Sequence, residues 1–179
     1  MATTNTHEEI IFPDSLCRDY IYLYDIGSGA NGIVFAAMRK MDDLVVAIKV
    51  FHEDSVMQWM PDANSLSIPM EIYITKTFSP SYNRIIHYVD HIYYNKWYYL
   101  ITRLHGAKWI VKQTDGTAPI IGRDLWCFIN SENDVCEADI KQIFQRIACA
   151  VQFLHDRRLC HGDIKDIVRH YFFFSHLLL

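Results

Sequence analysis

The chain has 179 residues, 51% of them apolar, which is enough for one domain with a substantial hydrophobic core. Its formal net charge is −4 with both signs mixed along the sequence, which argues against a nucleic-acid partner held by phosphate neutralisation. The five cysteines are odd in number and include no C-x-x-C pair, so neither a disulfide framework nor a zinc knuckle is indicated.

No targeting or membrane-spanning segment is evident in the sequence. The first residues, MATTNTHEEI, are neither basic nor apolar, and no apolar run reaches the ~18 residues that a transmembrane helix needs. We therefore expect no membrane partner, a reducing compartment, and a location in the cytoplasm or the nucleus. Residues 1–18 are polar and lack periodicity, which predicts a flexible lead-in.

The first predicted elements are three strands that begin with a glycine-rich hairpin. Strands over Tyr20–Gly27, Gly32–Arg39 and Leu44–Phe51 would form a twisted antiparallel sheet. The pattern G-x-G-x-x-G from Gly27 to Gly32 also opens dinucleotide-binding folds, where a helix follows the third glycine and an acidic residue lies about 20 positions on. Because both flanks are rich in strand-forming residues, the pattern favours a hairpin tip.

A lysine on the third predicted strand gives this hairpin a chemical context. Alternation along the strand puts Ala47 and Lys49 on one face, directed back under the glycine loop. Glycines let a backbone approach phosphate groups because no side chain projects from Cα. A glycine hairpin followed by a strand-borne lysine is typical of the nucleotide clamp of protein kinases.

The main helix of the first half is predicted to begin near Ser67 and to run to about Phe78. Ser67 would be its cap, Pro69 would lie in the first turn, and Glu71 would lie near the positive end of the helix dipole. A carboxylate there could pair with the Lys49 ammonium if the helix packs behind the sheet. An acid in a first turn is also common without any such role.

Two further strands and two later helices complete the predicted elements. Strands over Arg84–Asp90 and Trp97–Thr102, separated by a turn at Tyr93–Lys96, would bring the sheet to five strands. A short helix is predicted over Asp124–Ile129, and a capping box at Asp134–Glu137 predicts the start of a longer one. In the longer helix, apolar residues recur with a 3.6-residue period at Ile140, Ile143, Phe144, Ile147, Val151 and Leu154.

A second motif follows the long predicted helix. Residues Leu159–Asp166 read LCHGDIKD and resemble the kinase catalytic loop H-R-D-[LI]-K-x-x-N. With the glycine hairpin and Lys49, this motif resembles the eukaryotic-type serine/threonine protein kinases. Ile-Pro-Met-Glu at Ile68–Glu71, Asp-Leu-x-x-Phe-Ile at Asp124–Ile129 and Asp166 are similar to the Pim and PAS-kinase branch.

The resemblance implies a fold and a domain division. The fold class would be α+β and protein-kinase-like, with a complete five-stranded β-rich N-lobe that carries one main helix, and a truncated helical C-lobe. The N-lobe would span 19–105 and bind the nucleotide, and the partial C-lobe would span 106–166 and end in the catalytic loop. An aberrant tail, 167–179, would follow.

The resemblance also implies an activity, which is phosphoryl transfer from ATP to serine or threonine of a protein substrate. Asp163 would accept the proton of the substrate hydroxyl or orient that hydroxyl, and Lys165 would offset charge on the transferred group. Lys49 would contact the phosphates, and Glu71 would pair with Lys49 and hold it toward them. Thr102 would be the gatekeeper at the back of the adenine pocket, and Arg103 to His105 would be the hinge. The implied nucleotide-contacting residues are Ile26, Gly27, Ser28, Gly29, Ala30, Asn31, Gly32, Val34, Ala47, Lys49, Thr102, Arg103 and Leu104.

Departures from the family pattern cluster after the catalytic loop. The asparagine expected five residues after Asp163 is replaced by Val168, which cannot ligate Mg²⁺, and no Asp-Phe-Gly motif follows. The intact family uses Mg²⁺, whereas here its protein ligands are missing and no metal site is expected. We therefore expect a chain truncated after the catalytic loop to transfer little or no phosphate, with a tail derived from an unspliced intron or a shifted frame. The alternative is a non-catalytic nucleotide-binding or scaffold fragment, similar to a pseudokinase.

Overall fold

The structure is a computed structural model that describes residues 13–29, 32–82, 85–104 and 136–160. Its internal contacts divide the chain into two units. The first holds the described residues up to Pro80 together with His87–Leu104, and the second holds Ser81–Ile86 and the described residues from 136 onward. Ser81–Ile86, within the predicted N-lobe range 19–105, is thus grouped with the second unit.

A five-stranded antiparallel sheet dominates the first unit. The elements of this unit are, in chain order, α1 (Asp14–Asp19), β1 (Tyr20–Gly29), β2 (Gly32–Arg39), β3 (Val45–His52), a 3-10 turn (Glu53–Ser55), β4 (Trp59–Pro61), β5 (Ser67–Pro69), α2 (Met70–Phe78), β6 (Tyr88–Tyr94) and β7 (Trp97–Arg103). The large sheet has the strand order β1-β2-β3-β7-β6, and β4 pairs with β5 in a separate hairpin. The predicted α+β lobe, a five-stranded sheet with one main helix, is confirmed.

The two faces of the large sheet have different contents. One face carries the main hydrophobic core, in which the buried residues are Leu16, Tyr20, Phe35, Ala37, Val46, Ile48, Val50, Tyr99 and Ile101. Because side chains alternate along a strand, Ala47 and Lys49 lie on the opposite face of β3 from Val46 and Ile48. The alternation predicted for this strand is confirmed.

The segment before the sheet is ordered where the structure describes it. Residues Asp14–Asp19 form α1, and Leu16 in this helix is fully buried in the core. The Lys40 ammonium donates a hydrogen bond of 2.7 Å to the Cys17 carbonyl near the end of the helix. Residues 14–18, which lie within the predicted lead-in, are therefore helical, and the burial of Leu16 contributes to packing this helix against the core.

The β4–β5 hairpin replaces the predicted start of the main helix. Ser67 is not a helix cap, because Ser67–Pro69 is extended and pairs with Trp59–Pro61. The Asp62 carboxylate shapes the connecting turn by accepting hydrogen bonds from the backbone amides of Asn64 at 2.8 Å and Leu66 at 3.0 Å. The hairpin thus uses the residues that resembled a capping sequence as its second strand.

Helix α2 begins at Met70, three residues after the predicted cap, Ser67. Pro69 is its N-cap residue and makes no side-chain cap bond, while the amide of Met70 donates to the Gln58 carbonyl at 2.9 Å. Glu71 lies in the first turn, as predicted. Ile72, Ile74 and Thr75 are buried, and the helix contacts β4, β5 and β6.

The last two strands meet at a tight turn. The predicted strand over Arg84–Asp90 is wrong in its bounds, because β6 begins at Tyr88 and continues to Tyr94. The turn is accordingly shorter than predicted, and both of its central residues, Asn95 and Lys96, have left-handed φ angles of 49° and 70°. Ile85 and Ile86 are buried without being part of a strand, so burial rather than strand formation explains their apolar character.

The long helix α3 (Glu137–His155) belongs to the second unit. The predicted helix over this stretch is confirmed, whereas the capping residue Asp134 and the short helix Asp124–Ile129 lie outside the described residues. Leu154 is buried, but Ile140 and Phe144 are 53% and 71% exposed. After the helix, the Leu159 amide donates to the Leu154 carbonyl at 3.0 Å, and Arg158 between them has a left-handed φ of 59°.

An aromatic stack joins the two parts of the second unit. The rings of Tyr82 and Phe153 lie parallel with centroids 3.9 Å apart, and the Arg157 guanidinium lies 3.6 Å from the Phe153 centroid on α3. The stack therefore attaches the segment Ser81–Ile86 to this helix. Among the helices that the structure describes, none is both long and apolar enough to cross a bilayer.

Candidate functional site

The glycine-rich stretch forms the closed end of a hairpin. β1 runs to Gly29, β2 begins at Gly32, and these two glycines are paired across the strands. Because Gly32 leads into a strand and not a helix, the dinucleotide-fold interpretation of the glycine pattern is excluded. Ala30 and Asn31, at the tip, lie outside the described residues.

The position of Gly32 in this hairpin demands the absence of a side chain. Its φ is +114°, a conformation that other residues rarely adopt, and a Cβ there would overlap the Val50 carbonyl oxygen. At Gly27, in contrast, a Cβ would meet no heavy atom within 4 Å. Close backbone packing against β3 therefore accounts for Gly32, while Gly27 leaves open space beside the strand.

Register places the predicted pocket residues on the Lys49 face of the sheet. Val34 is paired with Lys49, and Ala47 is paired with Thr102, so the four side chains project from the same side. Val34, Ala47 and Thr102 are buried, with exposures of 2%, 3% and 4%. Ile26 lies at an irregularity of β1, where the register shifts between Asp25 and Gly27, and such bulges redirect a side chain.

The centre of this face is an ion pair between Lys49 and Glu71. The Lys49 Nζ lies 3.1 Å from Oε1 and 2.9 Å from Oε2 of Glu71, which is a bidentate contact. The Lys49 side chain is 8% exposed and the Glu71 side chain 23% exposed, so the pair is largely withdrawn from water. The predicted ion pair between Lys49 on β3 and Glu71 in the first turn of the main helix is confirmed.

Burial and Lys49 have opposite effects on the pKa of Glu71. Loss of hydration raises the pKa of Glu71, because water no longer stabilises the carboxylate, while the charge and hydrogen bond of Lys49 pull this pKa down. The net pKa remains raised, so desolvation is the larger effect. The carboxylate therefore depends on Lys49 for much of its stabilisation.

An aromatic ring also contacts the lysine, and it was missed in the sequence. The Lys49 Nζ lies 5.3 Å from the centroid of the Phe51 ring, within the range of a cation–π interaction. Phe51 is two residues beyond Lys49 on β3, so alternation alone could have placed it on the same face. The sequence offered no sign, however, that the ring turns toward the ammonium.

The strand end that was predicted to be the hinge already uses two of its amides. The Arg103 amide donates to the His87 carbonyl at 2.9 Å, and the Leu104 amide donates to the Val45 carbonyl at 3.2 Å. The Thr102 hydroxyl donates to the Ala47 carbonyl at 3.4 Å. The backbone donors of Arg103 and Leu104 are thus engaged within the chain.

The residues predicted for the transfer step lie outside the described part of the chain. These residues are Asp163 and Lys165. The predicted hinge residue His105 and Val168 also lie outside the described residues. Within the described ranges, 13–29, 32–82, 85–104 and 136–160, no three His, Cys, Asp or Glu side chains are grouped closely enough to hold a metal ion.

Comparison with known families now bears on this arrangement. Residues 20–167 match the family model described as the protein kinase domain, and this range covers most of the chain. The chain belongs to the protein kinase domain family. The match includes the glycine hairpin, the Lys49–Glu71 pair and the stretch that resembles a catalytic loop.

Individual relatives in this kinase family are serine/threonine kinases. The chain is 27% identical over 151 residues to serine/threonine-protein kinase PSK1 of Saccharomyces cerevisiae, covering 83% of this chain and 10% of that protein. It is 27% identical over 154 residues to a PAS domain-containing serine/threonine-protein kinase of Mus musculus, covering 83% of this chain and 10% of the relative.

The similar proteins also include a kinase of the Pim type. The chain is 26% identical over 148 residues to serine/threonine-protein kinase pim-2 of Danio rerio, covering 79% of this chain and 44% of the relative. The similarity to the Pim and PAS-kinase branch is confirmed. The chain spans about a tenth of the length of its yeast and mouse relatives.

Proposed function

We propose that this kinase-family chain binds ATP on the Lys49 face of the sheet, as the nucleotide-binding part of a serine/threonine protein kinase domain. The observation that carries the proposal is the bidentate contact of Lys49 with Glu71 at 2.9 and 3.1 Å. An ammonium held by a carboxylate behind it is oriented by that partner and retains a charge that phosphate oxygens can share. The expected partners are ATP and a protein substrate, in the cytoplasm or the nucleus.

The hairpin and the sheet face would contact different parts of the nucleotide. Backbone amides of the glycine hairpin, from Gly27 to Gly32, would approach the phosphates because no side chain intervenes. Val34 and Ala47 would lie against the adenine ring, since their small side chains leave room for a flat ring. Ile26 and Ser28 would flank the hairpin base.

The engaged amides of Arg103 and Leu104 refine the proposed hinge contact. Because both amides donate to carbonyl groups within the chain, an adenine that needs a backbone donor would take it from the next residue, His105. Carbonyl oxygens of the hinge would accept from the exocyclic amino group. Thr102 would limit the depth of the pocket.

For phosphoryl transfer, the proposed groups are Asp163 and Lys165. The substrate hydroxyl oxygen would form a bond to the γ-phosphorus while the bond from that phosphorus to the β,γ-bridging oxygen breaks, and the hydroxyl proton would pass to Asp163. Lys165 would balance negative charge on the transferred group. Magnesium normally neutralises phosphate charge in this family, but Val168 offers no oxygen ligand, so we assign this chain no step through the metal.

Val168 also supports a second candidate function, a non-catalytic nucleotide-binding or scaffold protein. The side chain of valine cannot coordinate a cation, while the hairpin and the Lys49–Glu71 pair do not require one for their own geometry. Under this proposal the chain binds nucleotide and transfers little or no phosphate.

Nucleotide binding and phosphotransfer, measured on the same full chain, test both candidates. ATP affinity is measured by calorimetry with and without Mg²⁺, for the unsubstituted chain, Lys49→Met and the control Lys96→Met. Lys96 is on the surface, with a side chain 65% exposed, so its loss should leave ATP affinity unchanged. We expect Lys49→Met to weaken binding by roughly tenfold or more, because a charge-assisted phosphate contact contributes more than ~1.4 kcal/mol.

The phosphotransfer assay then separates the two candidates. If the unsubstituted chain phosphorylates a generic serine/threonine peptide and Lys49→Met does not, kinase activity would be established and the expected inactivity refuted. Binding without turnover would favour the non-catalytic candidate. Absence of ATP binding by a folded chain, or equal binding by Lys49→Met, would refute the proposed site.

A further inference from the structure

Phe51 connects the ion pair to a line of aromatic rings. Its ring centroid lies 5.3 Å from the Lys49 ammonium, and the ring also stacks with Tyr98 of β7, with centroids 5.7 Å apart and an interplanar angle of 20°. Phe51 and Tyr98 are directly opposite in the strand register and are only 5% and 7% exposed. Neither ring can therefore shift far without disturbing the sheet.

The line continues into the β4–β5 hairpin through Trp59. The Trp59 ring meets Tyr98 edge-on, with centroids 5.9 Å apart and an angle of 65°. Such an edge-to-face contact adds attraction beyond that of the apolar area it buries. The hairpin is thus attached to the same ring system that supports the lysine.

The hairpin also sets the start of the helix that carries Glu71. Trp59 is paired with Pro69, the N-cap residue of α2, and the neighbouring Gln58 carbonyl accepts the first amide of the helix, that of Met70. Glu71 is the next residue. One hairpin therefore contacts the lysine side of the ion pair through aromatic rings and the glutamate side through the helix start.

From this double attachment we propose that Phe51, Tyr98 and Trp59 are positioning residues for the Lys49–Glu71 pair, and that the β4–β5 hairpin sets the geometry of the nucleotide site. The proposal rests on the proposed ATP-binding function for its biological meaning. It implies that a change at the hairpin alters nucleotide affinity without any contact between hairpin and nucleotide.

Substitutions along the ring line test the proposal by two independent measurements. The first is the rate at which acetic anhydride acetylates Lys49 in the absence of nucleotide, quantified by peptide mass spectrometry. The second is the affinity for ATP. We expect Phe51→Leu to raise the acetylation rate and lower the affinity by roughly threefold to tenfold each, the scale of a partly buried cation–π contact.

Trp59→Leu tests the hairpin itself. We expect a roughly twofold to fivefold change in the same two quantities, the scale of one aromatic pair, and recovery in Trp59→Phe, which keeps a ring. Trp59 is 41% exposed, so its variants should fold even if Phe51→Leu does not. The matched control is Phe35→Leu, the same substitution at a fully buried position on the opposite face of the sheet, which should lower the melting temperature and leave Lys49 acetylation unchanged.

The outcomes distinguish this inference from the proposed function. Unchanged Lys49 acetylation in folded Phe51→Leu and Trp59→Leu would overturn the positioning role, whatever the ATP affinity. An equal change in Phe35→Leu would also overturn it, since the effect would then be general destabilisation. If the unsubstituted chain binds no ATP, the function fails, but the acetylation series still decides whether the rings position Lys49.

Discussion

The sheet unit and helix α3 both have periodic apolar residues, but they bury these residues to different extents. In the sheet unit, the alternating apolar residues of β2, β3 and β7 are enclosed, and Phe35, Val46 and Ile101 have no exposed surface. On α3, the apolar stripe is enclosed near its end, at Leu154, and open near its start, where Phe144 is 71% exposed. Periodicity therefore identifies which side chains share a face, whereas burial depends on what packs against that face.

Charged pairs show the same contrast between these regions. The Lys49–Glu71 pair of the sheet unit, at 2.9 Å, is largely buried, while the Lys141 and Glu137 side chains on α3, 2.8 Å apart, are 75% and 82% exposed. Similar distances thus occur in environments of different polarity. The interaction should matter far more where water is excluded, because solvent screens an exposed pair.

The largest expected difference concerns two phenylalanines. Phe35→Ala should lower the free energy of unfolding of the sheet unit by about 3–5 kcal/mol, because it removes a fully buried ring and leaves a cavity. Phe144→Ala should change it by less than about 0.5 kcal/mol, because that ring is mostly in water. Urea denaturation followed by circular dichroism measures both, and similar losses in the two variants would break the comparison.

Close packing in the sheet unit extends to the glycine hairpin. Gly32→Ala should cost roughly 2–3 kcal/mol of unfolding free energy, since the new Cβ meets the Val50 carbonyl and φ is +114°. Gly27→Ala, where a Cβ has open space, should cost less than about 1 kcal/mol of unfolding free energy. Urea midpoints of both variants provide the measurement, and equal midpoints would show that the hairpin yields to a side chain.

The two ion pairs give a smaller difference. Glu71→Gln should lower the free energy of unfolding by roughly 1–2 kcal/mol, because it leaves Lys49 with little exposure and without its carboxylate. Glu137→Gln on α3 should have an effect below about 0.5 kcal/mol. A double-mutant cycle with Lys49→Met and Lys141→Met isolates each pair, and a coupling energy near zero for Lys49 and Glu71 would contradict their mutual dependence.

The smallest expected effect is a loss of stability at alkaline pH, which leaves the stability near neutral pH unchanged. Burial, with a smaller contribution from Tyr94, raises the pKa of Tyr99 to about 12 from an ordinary value of 10.0. The unfolded chain therefore releases the Tyr99 proton at lower pH than the folded chain, and the stability that this group contributes below pH ~10 is lost as pH rises toward ~12. Tyrosinate absorbance during an alkaline titration reports the ionisation, and urea denaturation at each pH measures the loss of stability.

Tyr99→Phe is the control for this titration. It removes the ionising group but keeps the ring, so its alkaline stability should decline less steeply than that of the unsubstituted chain. Identical alkaline profiles for the two proteins would show that Tyr99 does not contribute.

Much of the sheet could be predicted because its signals are local. Strand formers, alternation and glycine positions define β1, β2 and β3 within a few residues. The β4–β5 hairpin could not be predicted, since Ser67, Pro69 and Glu71 also fit a helix start. The pairing of Ser67–Pro69 with Trp59–Pro61 decides the matter, and it depends on a partner strand that lies outside the apparent capping sequence.

The candidate site likewise has features that could be predicted from the sequence and features that could not. Lys49 and Glu71 could be predicted to pair because a family pattern relates them, and the register then brings Val34, Ala47 and Thr102 to the same face. Phe51 was missed, because a buried aromatic residue on a strand is ordinarily part of the core. The engaged amides of Arg103 and Leu104 were also missed, since hydrogen-bond partners depend on how neighbouring strands end.

The tight connection between β6 and β7 has an energetic consequence of its own. Asn95 and Lys96 both adopt left-handed backbone angles, a geometry for which Asn-Gly is the preferred dipeptide. Lysine tolerates this conformation poorly, by about 1–2 kcal/mol, and its distant contact with Glu53 at 3.7 Å offsets little of that. The chain thus retains local backbone strain at this turn, which makes Lys96→Gly a natural first substitution for raising the stability of the sheet.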